Sequence, residues 1–197
     1  MMEFLRANWI ELVGTILSLV YLYLSVKQHI GLWLFGFLSS AFYIVIFLES
    51  GFYADMTLQV YYLVVSIYGY WHWRWGKRVI ETHELPVEHV SARQIPYLLG
   101  VAVLIWVAYY IVLRYLTDSE VPVCDSLTTA LSIVATWMLA RKILEHWLIW
   151  VFVDAFSALL YVYKGLYITP VLYVIYTIMA IVGYFQWRST LGKPSSR

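Results

Sequence analysis

The sequence predicts an all-α polytopic membrane protein, with seven transmembrane helices arranged as two parallel three-helix repeats around a linker helix. Three observations predict this fold class: an apolar composition, seven apolar stretches of spanning length, and an internal repeat without gaps. Of the 197 residues, 62% are hydrophobic and 13% are charged, and the mean hydropathy is +0.73. A soluble domain carries about 25% charged residues, so the composition excludes one.

The apolar stretches place the predicted helices. A span needs roughly 20 apolar residues, and seven stretches qualify: 9–27, 32–49, 55–74, 96–116, 123–141, 144–163 and 168–187. The long polar segment from Arg74 to Arg93 is predicted to be a solvated loop. The N-terminus lacks the features of a cleaved signal peptide, so we expect the first helix to be retained.

The internal repeat divides the chain. Adding 114 to a residue number maps the first three spans onto the last three, and the matches include Trp33 with Trp147, Gly69 with Gly183, and Trp73 with Trp187. The predicted domains are a first bundle (1–78), a loop and linker helix (79–118), and a second bundle with its tail (119–197). The fourth span gives both bundles the same orientation, as in the sugar carriers called SWEETs, where the substrate site lies between the halves.

The basic residues predict the orientation. Ten of the 13 Lys and Arg residues fall on the side that receives the loop after the third span, and three fall on the other. Cytoplasmic loops carry the excess of positive charge. We therefore predict that the N-terminus lies outside and the C-terminus lies in the cytoplasm.

One apolar stretch carries an acid. Trp147, Trp150 and Asp154 are spaced so that they share one face of a helix. An ionisable group in hydrocarbon is costly and suggests a function, and two indoles beside a carboxylate suit a flat organic cation. Alternatives remain open for each of them. Asp154 is then a structural acid, bonded to neighbouring hydroxyls or protonated by desolvation, and Trp147 and Trp150 are lipid-facing or interfacial belt residues.

Other functional classes lack their motifs. The single Cys124 excludes an intramolecular disulfide and a cysteine-based metal site, and no cofactor is expected. Motifs of metalloproteases and serine hydrolases are absent from the sequence, so an enzyme is not predicted. No basic patch indicates nucleic acid, which leaves the lipid bilayer and a small molecule as the expected partners.

Specific runs resemble a known family. They are Tyr53-Ala-Asp55-Met-Thr-Leu-Gln59-Val-Tyr61-Tyr62, Gly69-Tyr-Trp71-His-Trp73, Asp125-Ser-Leu-Thr128-Thr129, and Arg141-Lys142 with Glu145-His-Trp147-Leu-Ile-Trp150. On these runs the chain resembles the Pnu family of bacterial vitamin transporters. The resemblance implies a homotrimer in the bacterial inner membrane, facilitated diffusion without ion coupling, and trapping of the vitamin by a cytoplasmic kinase.

Departures from the family pattern bear on the substrate. Nicotinamide riboside carriers of the family typically have Asn at the position of Asp154, Gln at Thr136 and Asn at Ser39. Hydroxyls and a carboxylate in place of amides favour the thiamine-carrying PnuT branch. Thiamine is a cation with an aminopyrimidine edge that suits a carboxylate; nicotinamide riboside and, less so, riboflavin are the alternatives.

The resemblance also implies further substrate-binding positions. Gln59 and Tyr62 share a face of the third span, and the repeat relates them to Tyr173 and Tyr176. Trp33 and Trp137 are predicted to complete an aromatic wall, with packing in the helix bundle as the alternative. The predicted substrate-binding set is Trp33, Ser39, Gln59, Tyr62, Thr136, Trp137, Trp147, Trp150, Asp154, Tyr173 and Tyr176.

Overall fold

A computed structural model describes residues 2–50, 53–76, 85–117, 119–163 and 169–191. The described residues form seven α-helices: α1 (Met2–Val26), α2 (Leu32–Ser50), α3 (Tyr53–Trp75), α4 (Gln94–Leu116), α5 (Pro122–Ala140), α6 (His146–Tyr163) and α7 (Thr169–Ser189). These helices confirm that the seven predicted stretches are helical, although α1 begins earlier than predicted. Residues 77–84 of the predicted polar loop and residues 192–197 of the predicted tail lie outside the described residues.

Apolar length supports a multi-pass membrane protein. Among the described residues, four helices, α4 to α7, are long and apolar enough to cross a membrane. Helices α1 and α2 carry shorter apolar stretches, Ile16–Val26 and Leu32–Leu48. Helix α4 lies at the edge of the bundle, because no residue of its most apolar window is buried. It packs against α5 through Leu98, which contacts a small cluster with Val134 and Met138.

The helix contacts follow the internal repeat. Helix α2 packs between α1 and α3, and α6 packs in the same way between α5 and α7. We call α1–α3 the first unit and α5–α7 the second unit. Two further contacts join these units: α3 packs on α5, and α1 packs on α7. Since the repeat relates α1 to α5 and α3 to α7, each of these contacts is the repeat equivalent of the other.

The same turn ends α1 and α5. Gln28 (φ 54°) and Lys142 (φ 53°), which are 114 residues apart, both adopt the left-handed conformation. The N–H of His29 donates to the Leu24 carbonyl and that of Gln28 to the Ser25 carbonyl, and equivalent bonds close the second turn. These bonds define a Schellman motif, which usually has glycine at the left-handed position.

Contacts across the units hold both left-handed residues. Nε2 of Gln28 donates to Oγ1 of Thr190, beyond the end of α7, at 2.8 Å. The Lys142 ammonium lies 4.6 Å from the centroid of the Trp73 ring, near the end of α3. Lys142 is buried, at 4% exposure. In each unit, the turn that follows the first helix thus contacts the end of the third helix of the other unit.

A tryptophan packed on a glycine also occurs in both units. A Cβ added to Gly69 would lie 2.4 Å from Cζ2 of Trp33, and one added to Gly183 would lie 2.6 Å from Cζ2 of Trp147. Trp33 makes an edge-on contact with Trp73, with the ring centroids 5.4 Å apart, and Trp147 makes one with Trp187, with the centroids 5.8 Å apart. Glycine at both positions therefore allows the close approach of α2 to α3 and of α6 to α7.

The segment before α4 is partly buried, unlike the predicted solvated loop. Leu85 and Val87 join the main core, which contains the four tryptophans of the repeated contacts. The backbone of Glu88 forms two hydrogen bonds with the α5–α6 turn, to Lys142 O and from Leu144 N. The Glu145 carboxylate accepts from the Val90 N–H and contacts Nδ1 of His89 at 2.6 Å. Apolar burial and these bonds explain why the segment packs on the bundle.

Candidate substrate cavity

A cavity of about 330 Å³ opens between the two units. A volume of this size is typical of sites for small organic ligands. Six helices line it, and α4 contributes no residue. The lining residues are Ser18, Tyr21, Leu22, Ser25, Gly36, Ser39, Ser40, Tyr43, Gln59, Tyr62, Ser66, Thr136, Leu139, His146, Trp147, Trp150, Asp154, Tyr173, Tyr176 and Ala180.

The cavity follows the repeat in position but not in chemistry. Seven positions line it in both units: Leu22/Thr136, Ser25/Leu139, Gly36/Trp150, Ser40/Asp154, Gln59/Tyr173, Tyr62/Tyr176 and Ser66/Ala180. The first unit thus contributes a glycine and a serine where the second contributes Trp150 and Asp154. Related backbones surround the cavity, while its acid, Asp154, and its half-buried indole, that of Trp150, both come from α6.

Asp154 is the only acidic residue among the described residues that line the cavity. It is 6% exposed, and it lies one helical turn from Trp150 on the same face of α6. The phenols of Tyr173 and Tyr176 lie within electrostatic range of it. Among the described residues, none forms a salt bridge with Asp154 or donates a hydrogen bond to it. The arrangement leaves the carboxylate available to a cation or donor inside the cavity.

Several hydroxyl groups of the cavity present acceptor lone pairs. Thr136 and Ser66 each donate to a carbonyl of their own helix, at 2.8 Å. Ser18 donates to Gly14 O at 2.9 Å, so Ser39 supplies the hydrogen of the 3.1 Å contact between Ser18 and Ser39. With their hydrogens committed, these oxygens are acceptors, and with Asp154 they make a cavity suited to a ligand rich in donors.

Nine of the eleven predicted residues line the cavity. They are Ser39, Gln59, Tyr62, Thr136, Trp147, Trp150, Asp154, Tyr173 and Tyr176. Trp147 is 2% exposed and packs in the core, so the alternative of a lipid-facing belt residue does not describe its position. Lining a cavity is not the same as binding, and the substrate-binding role of these residues stays a prediction.

Trp33 and Trp137 lie away from the cavity, which corrects the predicted aromatic wall. Trp33 is held between Gly69 and Trp73 in the core. Trp137 packs against the α4–α5 cluster, with the Arg141 guanidinium 5.5 Å from its ring centroid. Trp137 directly follows Thr136, but its side chain packs toward the α4–α5 cluster and is not among those that line the cavity.

Sequence reasoning missed other lining residues, including Tyr21, Tyr43 and His146. The repeat could have indicated some of them, since Ser40 is the mate of Asp154 and Leu22 is the mate of Thr136. His146 was missed because histidines at helix ends are usually solvated. Among the described residues, no group of three or more His, Cys, Asp or Glu side chains is placed to hold a metal ion.

Comparisons with known proteins identify the class. The family described as "Nicotinamide mononucleotide transporter" matches residues 8–189. The nicotinamide riboside transporter PnuC of Escherichia coli (strain K12) is 30% identical, and the match covers 96% of this chain and 89% of that protein. The riboflavin/roseoflavin transporter RibM of Streptomyces davaonensis is 27% identical, with 91% of this chain and 84% of that protein covered.

A solved structure has the same fold. The crystal structure of the vitamin B3 transporter PnuC matches with a TM-score of 0.76 and 25% identity, over 98% of this chain and 86% of that one. The fold and cavity define a multi-pass membrane transporter of the vitamin-carrier class, not an enzyme. The chain belongs to the nicotinamide mononucleotide transporter family, which confirms the resemblance to Pnu proteins.

Proposed function

We propose that this transporter takes up thiamine by facilitated diffusion. The observation that carries the proposal is the buried Asp154 carboxylate beside Trp150, without a cationic partner among the described residues. A buried carboxylate is stabilised by a cation or by hydrogen bonds to its charged form. The thiazolium of thiamine supplies the cation, and its aminopyrimidine supplies an N–H donor.

The remaining groups of the cavity suit the other parts of thiamine. The indole of Trp150 offers a face on which a cationic ring stacks, and the phenols of Tyr173 and Tyr176 extend the aromatic surface. The acceptor oxygens of Ser39, Ser66 and Thr136 suit a ligand that carries an amine and a hydroxyl.

Nicotinamide riboside is the second candidate, and specific observations favour it. A 30% identical relative is named as its transporter, and the solved neighbour is a vitamin B3 transporter. Its pyridinium is also a cation. Against it stand Asp154, Thr136 and Ser39 in place of the amide residues typical of its carriers. Riboflavin, which RibM carries, is neutral and would gain little from an unpaired carboxylate.

The transport architecture is part of the proposal. The repeated turns, the repeated tryptophan–glycine contacts and the paired lining positions support a SWEET-like 3+1+3 arrangement, with two units that rock around one site. The distribution of basic residues supports an external N-terminus and a cytoplasmic C-terminus in the inner membrane. Assembly as a homotrimer and trapping by a cytoplasmic kinase are carried over from the family resemblance.

A binding panel tests the choice of vitamin. The quenching of tryptophan fluorescence in the purified protein is titrated separately with thiamine, nicotinamide riboside and riboflavin; the chain has ten tryptophans. We expect thiamine to bind at least about tenfold more tightly than either alternative. Tighter binding of nicotinamide riboside would replace thiamine with the second candidate, and binding of none of the three would overturn the proposed function.

A further inference from the structure

Two aromatic side chains of the cavity lining, Tyr21 and Trp150, are half-buried and carry rings that contact no other ring among the described residues. Each of the other rings of the lining packs against a neighbouring ring. These other rings are those of Tyr43, Tyr62, His146, Trp147, Tyr173 and Tyr176. Of all the described rings at the cavity, the protein therefore leaves those of Tyr21 and Trp150 without a stacking partner.

The Tyr21 ring packs on Gly36, at the position that the repeat relates to Trp150. A Cβ added to Gly36 would lie 3.0 Å from Cε2 of Tyr21 and 3.1 Å from its Cδ2. The ring thus occupies the space beside α2 in which the equivalent of the Trp150 side chain would begin. The repeat mate of Tyr21 is Ala135, which is 0% exposed. Each unit therefore places one ring at this level of the cavity, from α1 in the first unit and from α6 in the second.

The exchange of tyrosine and glycine for alanine and tryptophan keeps an aromatic ring on both sides of the cavity. Packing between the helices explains why a large residue in each unit accompanies a small one. It does not explain why both large residues are aromatic, because an aliphatic side chain would cover Gly36 equally well. Two half-buried rings on opposite sides of one cavity suit a flat ligand, since such a ligand offers one face to each ring.

We propose that Tyr21 and Trp150 hold the cationic ring of the vitamin between them. A cationic ring is attracted to the faces of phenol and indole rings. Trp150 lies one helical turn from Asp154 on α6, so the carboxylate lies beside the stacked ring and neutralises its charge. For thiamine, the stacked ring is the thiazolium. The assignment rests on the proposed function and adds Tyr21 as a specificity-determining residue that selects flat cations.

Two substitutions at Tyr21 separate stacking from packing. Tyr21→Phe keeps the ring, whereas Tyr21→Leu replaces it with an aliphatic side chain that still covers Gly36. Thiamine affinity is measured by tryptophan fluorescence on each purified variant, with the melting temperature as a check on folding. We expect Tyr21→Phe to bind within about threefold of wild type and Tyr21→Leu to bind about tenfold more weakly. Tyr23→Leu is the matched control and should bind as wild type does, because Tyr23 is 54% exposed and does not line the cavity.

The two halves of thiamine identify the ring that is stacked. The N-methylated thiazolium half and the aminopyrimidine half are each titrated in competition with thiamine, on wild type and on Tyr21→Leu. We expect the substitution to weaken binding of the thiazolium half by about tenfold and binding of the aminopyrimidine half by less than about threefold. A tyrosine that only supports the packing of α1 on α2 would instead weaken the binding of both halves to the same extent.

The outcomes separate the two proposals. If wild type binds thiamine, three results would overturn the role of Tyr21 and leave the proposed function standing: an unchanged affinity of Tyr21→Leu, an equal loss in Tyr21→Phe and Tyr21→Leu, or a loss for the aminopyrimidine half as large as that for the thiazolium half. If wild type binds nicotinamide riboside alone, the same variants are titrated with it, and its flat pyridinium should give the same order. Binding of riboflavin alone, or of none of the three vitamins, would overturn both proposals.

Discussion

We expect Asp154→Asn to weaken thiamine binding by about tenfold or more, which corresponds to about 1.4 kcal/mol. The substitution keeps the shape of the side chain and removes its charge, so the loss measures the attraction between the carboxylate and the cationic vitamin. The carboxylate is buried and has no competing salt bridge among the described residues. The affinity is read from tryptophan fluorescence of the purified variant, with its melting temperature as a check on folding.

An acid outside the cavity provides the matched control. Asp125 accepts a hydrogen bond from Ser119 at 2.8 Å and is not a lining residue. Asp125→Asn makes the same change of charge, and we expect it to leave thiamine affinity unchanged. If Asp154→Asn binds thiamine as tightly as wild type, the carboxylate does not recognise the cation. If both variants lose affinity equally, the effect comes from the charge of the whole bundle.

Gly183→Ala destabilises the protein and weakens vitamin binding. The added Cβ would lie 2.6 Å from Cζ2 of Trp147, a separation that real side chains do not tolerate. Overpacking of this kind costs about 1–3 kcal/mol. Because Trp147 also lines the cavity, moving it to relieve the contact alters the site. We expect a lower melting temperature in detergent and a lower affinity for the vitamin.

Gly100→Ala is the control for the change of residue type. A Cβ at Gly100, in α4, would meet no atom within 4 Å, so the alanine gains helix propensity at no steric cost. We expect its melting temperature to equal or exceed that of wild type. Adding Trp147→Phe to Gly183→Ala removes the clashing ring atoms and should recover part of the lost stability. A wild-type melting temperature for Gly183→Ala alone would contradict the close packing.

Much of the fold was predictable because membrane helices obey strong local constraints. Every span needs a long apolar stretch, and the seven stretches identified all seven helices of the described residues. The repeat of 114 residues adds information that hydropathy lacks, because it relates the turns and the side-chain contacts of the first unit to those of the second. The left-handed residues Gln28 and Lys142 obey this register, although neither is a glycine that would have marked the turn in advance.

The direction in which a side chain points was harder to predict. Trp33 and Trp147 occupy equivalent positions on glycine, yet only Trp147 lines the cavity. Its preceding residue is His146, whereas Trp33 follows Leu32, and both of those side chains are fully buried. The sequence alone does not tell which of the two tryptophans faces the cavity, because that depends on how α2 and α6 pack between their neighbouring helices.

The burial of the segment before α4 was not predicted, for a different reason. Most residues between Arg74 and Arg93 are polar, so composition predicted a solvated loop. Within it, Leu85-Pro-Val87 is short and apolar, and Leu85 and Val87 are buried in the core. A stretch this short cannot be detected as a pattern of hydrophobic periodicity, and its burial depends on contacts with the distant α5–α6 turn.

The most direct test of the central claim is transport by the purified protein in proteoliposomes. Labelled thiamine, nicotinamide riboside and riboflavin are offered separately, without a proton or sodium gradient, and protein-free vesicles give the background. We predict that thiamine enters until the internal and external concentrations are equal, and that it enters faster than the other two. Uptake of nicotinamide riboside without uptake of thiamine, or uptake of thiamine only under an imposed ion gradient, would contradict the account.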